Sequence, residues 1–343
     1  MTDSAWLLNS VRSIHEEIRN AVVTACEQSP AEDLSRVVGD DDGDGDTIYA
    51  VDRISEEILV DLFERKIASK TSIVLIAEGL SGGKIVLPRG TREVDATWRV
   101  IADPIDGTRC LMYQKRSSWI LTGVAPNLGE STTLADIELA VQTEIPLIKQ
   151  HLSDTLWAIK GFGTHGERFN RINGERKPFR AHPSMATQLD HKFCSVSRFF
   201  SGGRDVLAAI DDDISFGVAG PGREGKAFCF EDQYLSTGGQ LYELMVGHDC
   251  FQADLRPLLR AILHKRGWKT GLCCHPYDLC TELIAREAGV LVSDEFGKHL
   301  APPMDLTTDV TWAGYANDHI RKLVEPLLHS SLQRHGMLLQ IAP

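Results

Sequence analysis

The sequence predicts an α/β fold, an α+β layered sandwich in which layers of helices stack on mixed β-sheets. Three observations carry that reading. Apolar residues recur at three- and four-residue steps through residue 66. Short apolar runs ending in acidic or turn residues follow, to about residue 160. Beyond residue 180, short strands alternate with helices. This organisation divides the chain into an N-terminal unit, 1–180, and a C-terminal unit, 181–343, packed against each other.

The elements follow in order. Residues 4–28 form an amphipathic helix with Leu7, Val11, Ile14, Ile18 and Val22 on one face. Residues 39–46, GDDDGDGD, form a polar loop. A second helix covers 51–66, with Val51, Ile54, Ile58, Leu59 and Leu62 on one face. An apolar strand at 73–77 ends at Glu78, turns rich in Gly and Pro cover 79–90, and a strand at 98–102 ends at Asp103. Residues 118–124 and 156–160 alternate as strands of the same sheet. The second unit offers a strand at 193–196 and helices at 203–210, 238–246 and 279–288. Gly289 caps the last helix, and a strand at 290–293 follows. Residues 127–160 and 250–270 take no role from the sequence.

Composition narrows the function. The 343 residues are 43% apolar and 24% charged, enough for a real core. A formal charge of −12 argues against a general nucleic-acid binder or an anionic-membrane binder. An acidic protein that handles an anionic substrate must neutralise it locally, and a bound cation is one way to do so. No apolar run reaches the length of a membrane span, and the start of the chain lacks a basic region followed by an apolar block. The eight cysteines have no regular spacing and no CxxC pair, and they read as reduced cytosolic thiols. A cytoplasmic location is therefore expected. Cys273, Cys274, His275 and Cys280 cluster in sequence without the paired spacing of a zinc site.

The stretch that carries chemistry is residues 98–109, WRVIADPIDGTR. An apolar strand delivers Asp103, Pro104 forces a turn, and Asp106 follows three positions later. Two carboxylates on one rigid turn suit a hard divalent cation. Gly107 permits close approach to the backbone, and a helix opening there would aim the N–H groups of Gly107 and Thr108 at a substrate phosphate.

The string DPIDGT resembles the signature of the inositol monophosphatase family, part of a superfamily with fructose-1,6-bisphosphatases and adenosine-bisphosphate phosphatases. Other segments extend the resemblance. Ile48-Tyr49-Ala50-Val51-Asp52 stands where the family has VTxxD. Ile76-Ala77-Glu78-Gly79 stands for its GEE. Pro276-Tyr277-Asp278-Leu279-Cys280 stands for WDxAAG, and EAGVLVSDEFG resembles the family's ending. The order holds from about residue 10 to 325. Departures are Tyr49 for Thr, Gly79 for the second Glu, Tyr277 for Trp, Thr281-Glu282 for small residues, and Arg109 where Thr or Ala is frequent.

The resemblance implies a layered α/β sandwich and a lithium-sensitive, magnesium-dependent phosphomonoesterase. It also implies two or three Mg2+ ions per site and a homodimer. Glu78, Asp103, Asp106, Asp278 and the Ile105 carbonyl would be metal ligands. Asp52 and Thr108, with Glu78, would position the attacking water for direct in-line displacement. In the second half, where the family builds its substrate pocket, Ser197, Arg198 and Arg204 are candidates beside Arg109. The substrate could be an inositol phosphate-like ester, a sugar bisphosphate or adenosine 3′,5′-bisphosphate. A catalytically silent scaffold is the reading from another class, and the intact carboxylates argue against it.

Other motifs fail on inspection. Asp40, Asp42, Asp44 and Gly45 start like an EF-hand loop, but Val51 stands where a bidentate Glu is needed. The same run resembles the DxDGT of haloacid-dehalogenase-like phosphatases, but Asp46 stands where Thr is required. Gly161, Gly163 and Gly166 spell GxGxxG with no helix pattern after them, which argues against a nucleotide-binding loop, and the family resemblance makes them a turn between strands. His165, His191 and His248 are isolated.

Overall fold

A computed structural model describes residues 2–40, 47–220 and 225–338. The chain runs α1 (Thr2–Gln28), α2 (Ala31–Leu34), β1 (Val37–Asp40), β2 (Thr47–Tyr49), α3 (Ala50–Phe63), β3 (Ile73–Ala77), β4 (Lys84–Leu87), β5 (Trp98–Asp106), α4 (Thr108–Met112) and β6 (Ser118–Pro126). It continues β7 (Leu139–Ile145), β8 (Leu152–Ile159), β9 (Thr164–Asn170), β10 (Arg176–Phe179), β11 (Lys192–Val196), α5 (Arg204–Ala219), β12 (Cys229–Phe230), α6 (Thr237–Met245) and β13 (Asp249–Asp254). It ends α7 (Arg260–Lys265), α8 (Glu282–Ala288), β14 (Leu291–Ser293), β15 (Trp312–Tyr315) and α9 (Asp318–Arg334). The acidic loop positions 41–46, including Asp42 and Asp44, lie outside the described residues.

Strands β3 to β10 form one eight-stranded sheet in the order β10-β9-β8-β7-β6-β5-β3-β4. Only β3 and β5 run parallel in it, so the sheet is mixed. Its two faces feed two cores, as the period of two requires. Val100 and Ala102 of β5 point into a core with Val11, Ile14, Ile18, Leu59 and Leu62 of α1 and α3. Ile101, between them, joins the opposite core with Leu241 and Leu244 of α6 and Leu283 and Ile284 of α8. A second, five-stranded sheet, β12-β11-β13-β15-β14, is covered by α5 and α9 around Ile210, Ile214, Val324 and Leu328. The molecule is thus layered helix, sheet, helix, sheet, helix, in agreement with the predicted class.

Three local expectations shift. Pro104 does not end its strand. β5 continues to Asp106, and its register with β6 slips between Asp103 and Asp106, which works as a bulge that spaces the two carboxylates. The helix expected at 279–288 begins only at Glu282, because Pro276 to Thr281 are spent on turns. The glycine run at 161–166 is the β8–β9 turn. The Gly161 and Gly163 amides donate to the Glu287 carboxylate at 2.8 and 2.7 Å, so no phosphate loop exists there.

Candidate metal centre

Two strand ends and a distant turn build the site. β3 and β5 are parallel neighbours, so Glu78 after β3 and Asp103 near the end of β5 emerge at the same edge of the sheet. Asp103 Oδ1 accepts from the Ile105 amide at 2.9 Å, which folds its carboxylate back over the bulge. Asp106 is held from the second half of the chain. Its Oδ2 accepts from Ser236 Oγ at 2.8 Å and from the Gly238 amide at 2.6 Å, at the start of α6. Gly238 suits this approach, since a Cβ there would lie 2.8 Å from Asp106 Oδ2 and 2.6 Å from Leu121 Cδ2. Asp278 Oδ2 accepts from the His275 amide at 2.7 Å, fixed by the turn before α8.

These contacts gather Asp103, Asp106 and Asp278 so that one carboxylate oxygen of each lies within 4.8 Å of the others. Asp103 and Asp106 are buried and Asp278 is half-buried. Burial first, then the charge of Asp106, Glu78 and Asp278, pushes the Asp103 carboxyl well above the usual range. Burial raises Asp106 to about 7 against the opposing hydrogen bonds of Ser236, Gly238 and Thr237. Asp278 is raised by burial and by Asp106. Without a cation, the cluster holds protons that a surface acid would have lost. An all-oxygen donor set, packed close and short of positive charge, fits a hard divalent ion.

The carboxylates open into a cavity of about 380 Å3. Glu78 lines it beside the three-carboxylate group, and Asp52, Ile105, Gly107 and Thr108 line it too. Asp52 lies in the first turn of α3. Thr108 Oγ1 stands 2.7 Å from Asp52 Oδ1 and 2.9 Å from the Ile105 carbonyl oxygen. Gly107 has φ of +92°, and a Cβ there would meet Ser236 Cβ at 2.9 Å, so the turn demands glycine. The helix expected after it is the five-residue α4.

Arg109 lines the cavity, with its guanidinium 5.4 Å from the Phe200 ring centre. Ser197, Arg198 and Arg204 are engaged elsewhere. Ser197 Oγ accepts from Gln240 Nε2 at 2.9 Å. Arg198 pairs with Glu231 and, at 3.4 Å, with Asp211. Arg204 donates to the carbonyls of Phe199 and Phe200. The lining instead takes Phe199, Phe200 and Arg256. Arg256 is fixed by Asp254 and by the Leu272 carbonyl, and it lies 4.5 Å from the Phe199 ring. The sequence signal for this wall is an aromatic pair, Phe199 and Phe200, directly after an apolar strand.

No family model and no curated protein sequence matches this chain. Solved structures do. The chain aligns with the fructose-1,6-bisphosphatase of Leishmania major at 14% identity and a TM-score of 0.67, covering 94% of this chain and 93% of that one. It aligns with the extragenic suppressor protein SuhB of Bartonella henselae at 16% identity and 0.63, covering 94% and 98%. A Pyrococcus horikoshii protein described as similar to inositol-1 monophosphatase gives 16% identity and 0.59, over 93% and 98%. Near-complete coverage of both partners means that the shared architecture extends over the whole body. The chain therefore shares the fold of these fructose-1,6-bisphosphatase, SuhB and inositol-1 monophosphatase-like structures.

Proposed function

We propose that this chain is a magnesium-dependent phosphomonoesterase acting on a small phosphorylated metabolite. The observation that carries the reading is the convergence of Asp103, Asp106 and Asp278 from the two halves of the sequence into one acidic cluster at a cavity. Glu78 and the Ile105 carbonyl line the same cavity and complete the proposed ligand set. Two or three Mg2+ ions held there would supply Lewis acidity and a water acidic enough to attack phosphorus.

The chain's own groups do the positioning. With its proton donated to Asp52 Oδ1, Thr108 Oγ1 presents lone pairs that accept a hydrogen bond from the attacking water. Asp52 is the final proton acceptor of that relay. The Gly107–Thr108 backbone turns its amides toward the substrate phosphate. Glu78 closes the acidic edge and helps activate the water. Direct in-line attack needs no covalent nucleophile. In this reading residues 1–180 supply the DPIDGT turn and residues 181–343 supply Asp278 and the pocket wall. The protein works as a cytoplasmic homodimer inhibited by lithium.

Arg109, Phe199, Phe200 and Arg256 favour a second reading of the substrate, with a body larger and more anionic than inositol monophosphate. A sugar bisphosphate or adenosine 3′,5′-bisphosphate has that chemistry. A screen of phosphorylated metabolites with and without magnesium, with Asp106→Asn as control, tests the proposal. The variant is expected to stay folded and lose nearly all turnover. Full activity in the variant, or no hydrolysis by the intact protein, refutes it.

A further inference from the structure

A second cavity lies beneath α1, on the sheet face that α1 and α3 cover. It measures about 280 Å3 and is lined by Arg12, Arg19 and Arg176 together with Glu16 and Glu167. Arg176 takes most of the carboxylate capacity. It pairs with Glu16, and its Nη1 donates to Glu167 Oε1 at 2.6 Å. Arg12 reaches Glu167 only at 3.5 Å, and its Nε is buried with no hydrogen-bond partner. Arg19 is 2% exposed, yet its polar contacts are long: 3.4 Å to Ser153 Oγ, 3.5 Å to Asn20 Oδ1 and 3.7 Å to Glu16 Oε1.

Aromatic rings hold the guanidinium groups in place. Trp157 lies 3.8 Å from that of Arg12, and Phe169 lies 4.5 Å from Arg19 and 4.7 Å from Arg176. Three cations therefore share two carboxylates, and the two cations with the poorest bonds both line the cavity. A buried guanidinium without a good partner is costly, and one anion would relieve it. Burial, with Arg176 and Arg171 nearby, lowers the Arg19 pKa to about 10, the direction expected of a charge short of partners. Ser13, Thr143 and Thr155 add hydroxyls to the same lining.

We infer that this cavity is a binding site for a tetrahedral oxyanion, the phosphate of free phosphate or of a small phosphate ester, held between Arg12, Arg19 and Arg176. Forked guanidinium donors match phosphate oxygens, and aromatic backing keeps the forks preorganised. The site lies under α1, away from the acidic cluster at the ends of β3 and β5, and it needs no metal.

Titration calorimetry on the intact protein in excess EDTA tests this, with inorganic phosphate in one arm and glycerol 2-phosphate in the other. Excess EDTA removes the divalent ions through which the acidic cavity would hold either anion. Saturable binding is expected, weakened at least about tenfold in Arg12→Gln, which removes one charge-assisted donor. Glu167→Gln removes a carboxylate that competes for Arg12 and Arg176, and it should tighten binding. That variant decides the matter even if Arg12→Gln fails to fold. Asp106→Asn should bind as the parent does. Tighter binding of free phosphate assigns the ion itself, and tighter binding of the ester assigns a phosphorylated metabolite. No binding by the parent overturns the site. So does equal affinity in the parent, Arg12→Gln and Glu167→Gln, or loss of binding in Asp106→Asn.

Discussion

Two clusters of like charge sit at the eight-stranded sheet, and they are built in different ways. The acidic cluster lies at strand ends, its carboxylates fixed by backbone amides and one hydroxyl, with a cavity in front of it. The basic cluster lies on the sheet face under a helix, its guanidiniums backed by rings and partly answered by Glu16 and Glu167. The carboxyls can escape the cost of burial by taking up protons, and burial shifts those of Asp103, Asp106 and Asp278 in that direction. The guanidiniums hardly have that escape, since Arg19 stays charged at neutral pH even with its pKa lowered to about 10. The lesson is that the first cluster should be strongly sensitive to pH and metal, whereas the second should respond to anions.

Measurements on each cluster test that contrast. The largest effect is expected at Thr108→Val, which removes the hydroxyl between the cavity and Asp52. A fall in kcat of about 10²–10³ with KM little changed is expected, in line with loss of a general-base relay. A change confined to KM would place Thr108 in substrate binding instead.

Next comes the pH dependence of metal-free stability. The Asp106 carboxyl sits near 7 in the fold and near 3.8 when unfolded, so the folded state favours its proton. Its contribution is fully present below about pH 4 and is lost as pH rises toward 7. Metal-free parent and Asp106→Asn should therefore differ least near pH 4, with the variant several degrees higher at pH 7.5. Magnesium should raise the parent's melting temperature most at the higher pH. A parent that gains on the variant between pH 5 and 7.5 would contradict the desolvation of this group.

On the other face, His15 is fully buried, its ring nitrogens 3.0 Å from Thr143 Oγ1 and 2.8 Å from Thr122 Oγ1. Burial and Arg19 push it down to about 3. It is neutral in the fold, so its contribution is whole above about pH 6.5 and fades as pH falls toward 3. His15→Phe should cost about 2–3 kcal/mol in urea unfolding at pH 7, because two buried hydroxyls lose their partner. A neutral outcome would mean that water or a shifted rotamer satisfies them. The smallest effect is expected at Glu287→Ala. Losing one carboxylate that caps the Gly161 and Gly163 amides should cost about 1 kcal/mol and leave turnover intact.

The sequence made the strands and the DPIDGT turn legible because apolar runs with an acid at the end are short-range signals. β3 matched its expected span, and the α1 face was read residue by residue from Leu7 to Val22. The bulge that keeps Asp103 and Asp106 on one strand was not legible, since proline read locally as a turn and the tertiary pairing with β6 overrode it. Asp278 was tied to the cluster only through a family resemblance, because nothing local connects it to a turn some 170 positions earlier. Ser197 and Arg198 lie next to the pocket in sequence, but β11 hands on its chain so that Phe199 and Phe200 line the cavity. The arginine cavity leaves no local signal in the sequence: Arg12, Arg19 and Arg176 sit on α1 and the far edge strand, and only the packing of the helix on the sheet brings them together.

The grip of Ser236 and Gly238 on Asp106 has a consequence for assembly. The same carboxylate that belongs to the acidic cluster is the rivet by which the segment leading into α6 is fastened to β5. Fragments severed near residue 180 and mixed would have to restore that rivet to regain metal affinity. Reconstitution of the two pieces and recovery of the ion site should therefore rise together, at the same fragment concentration.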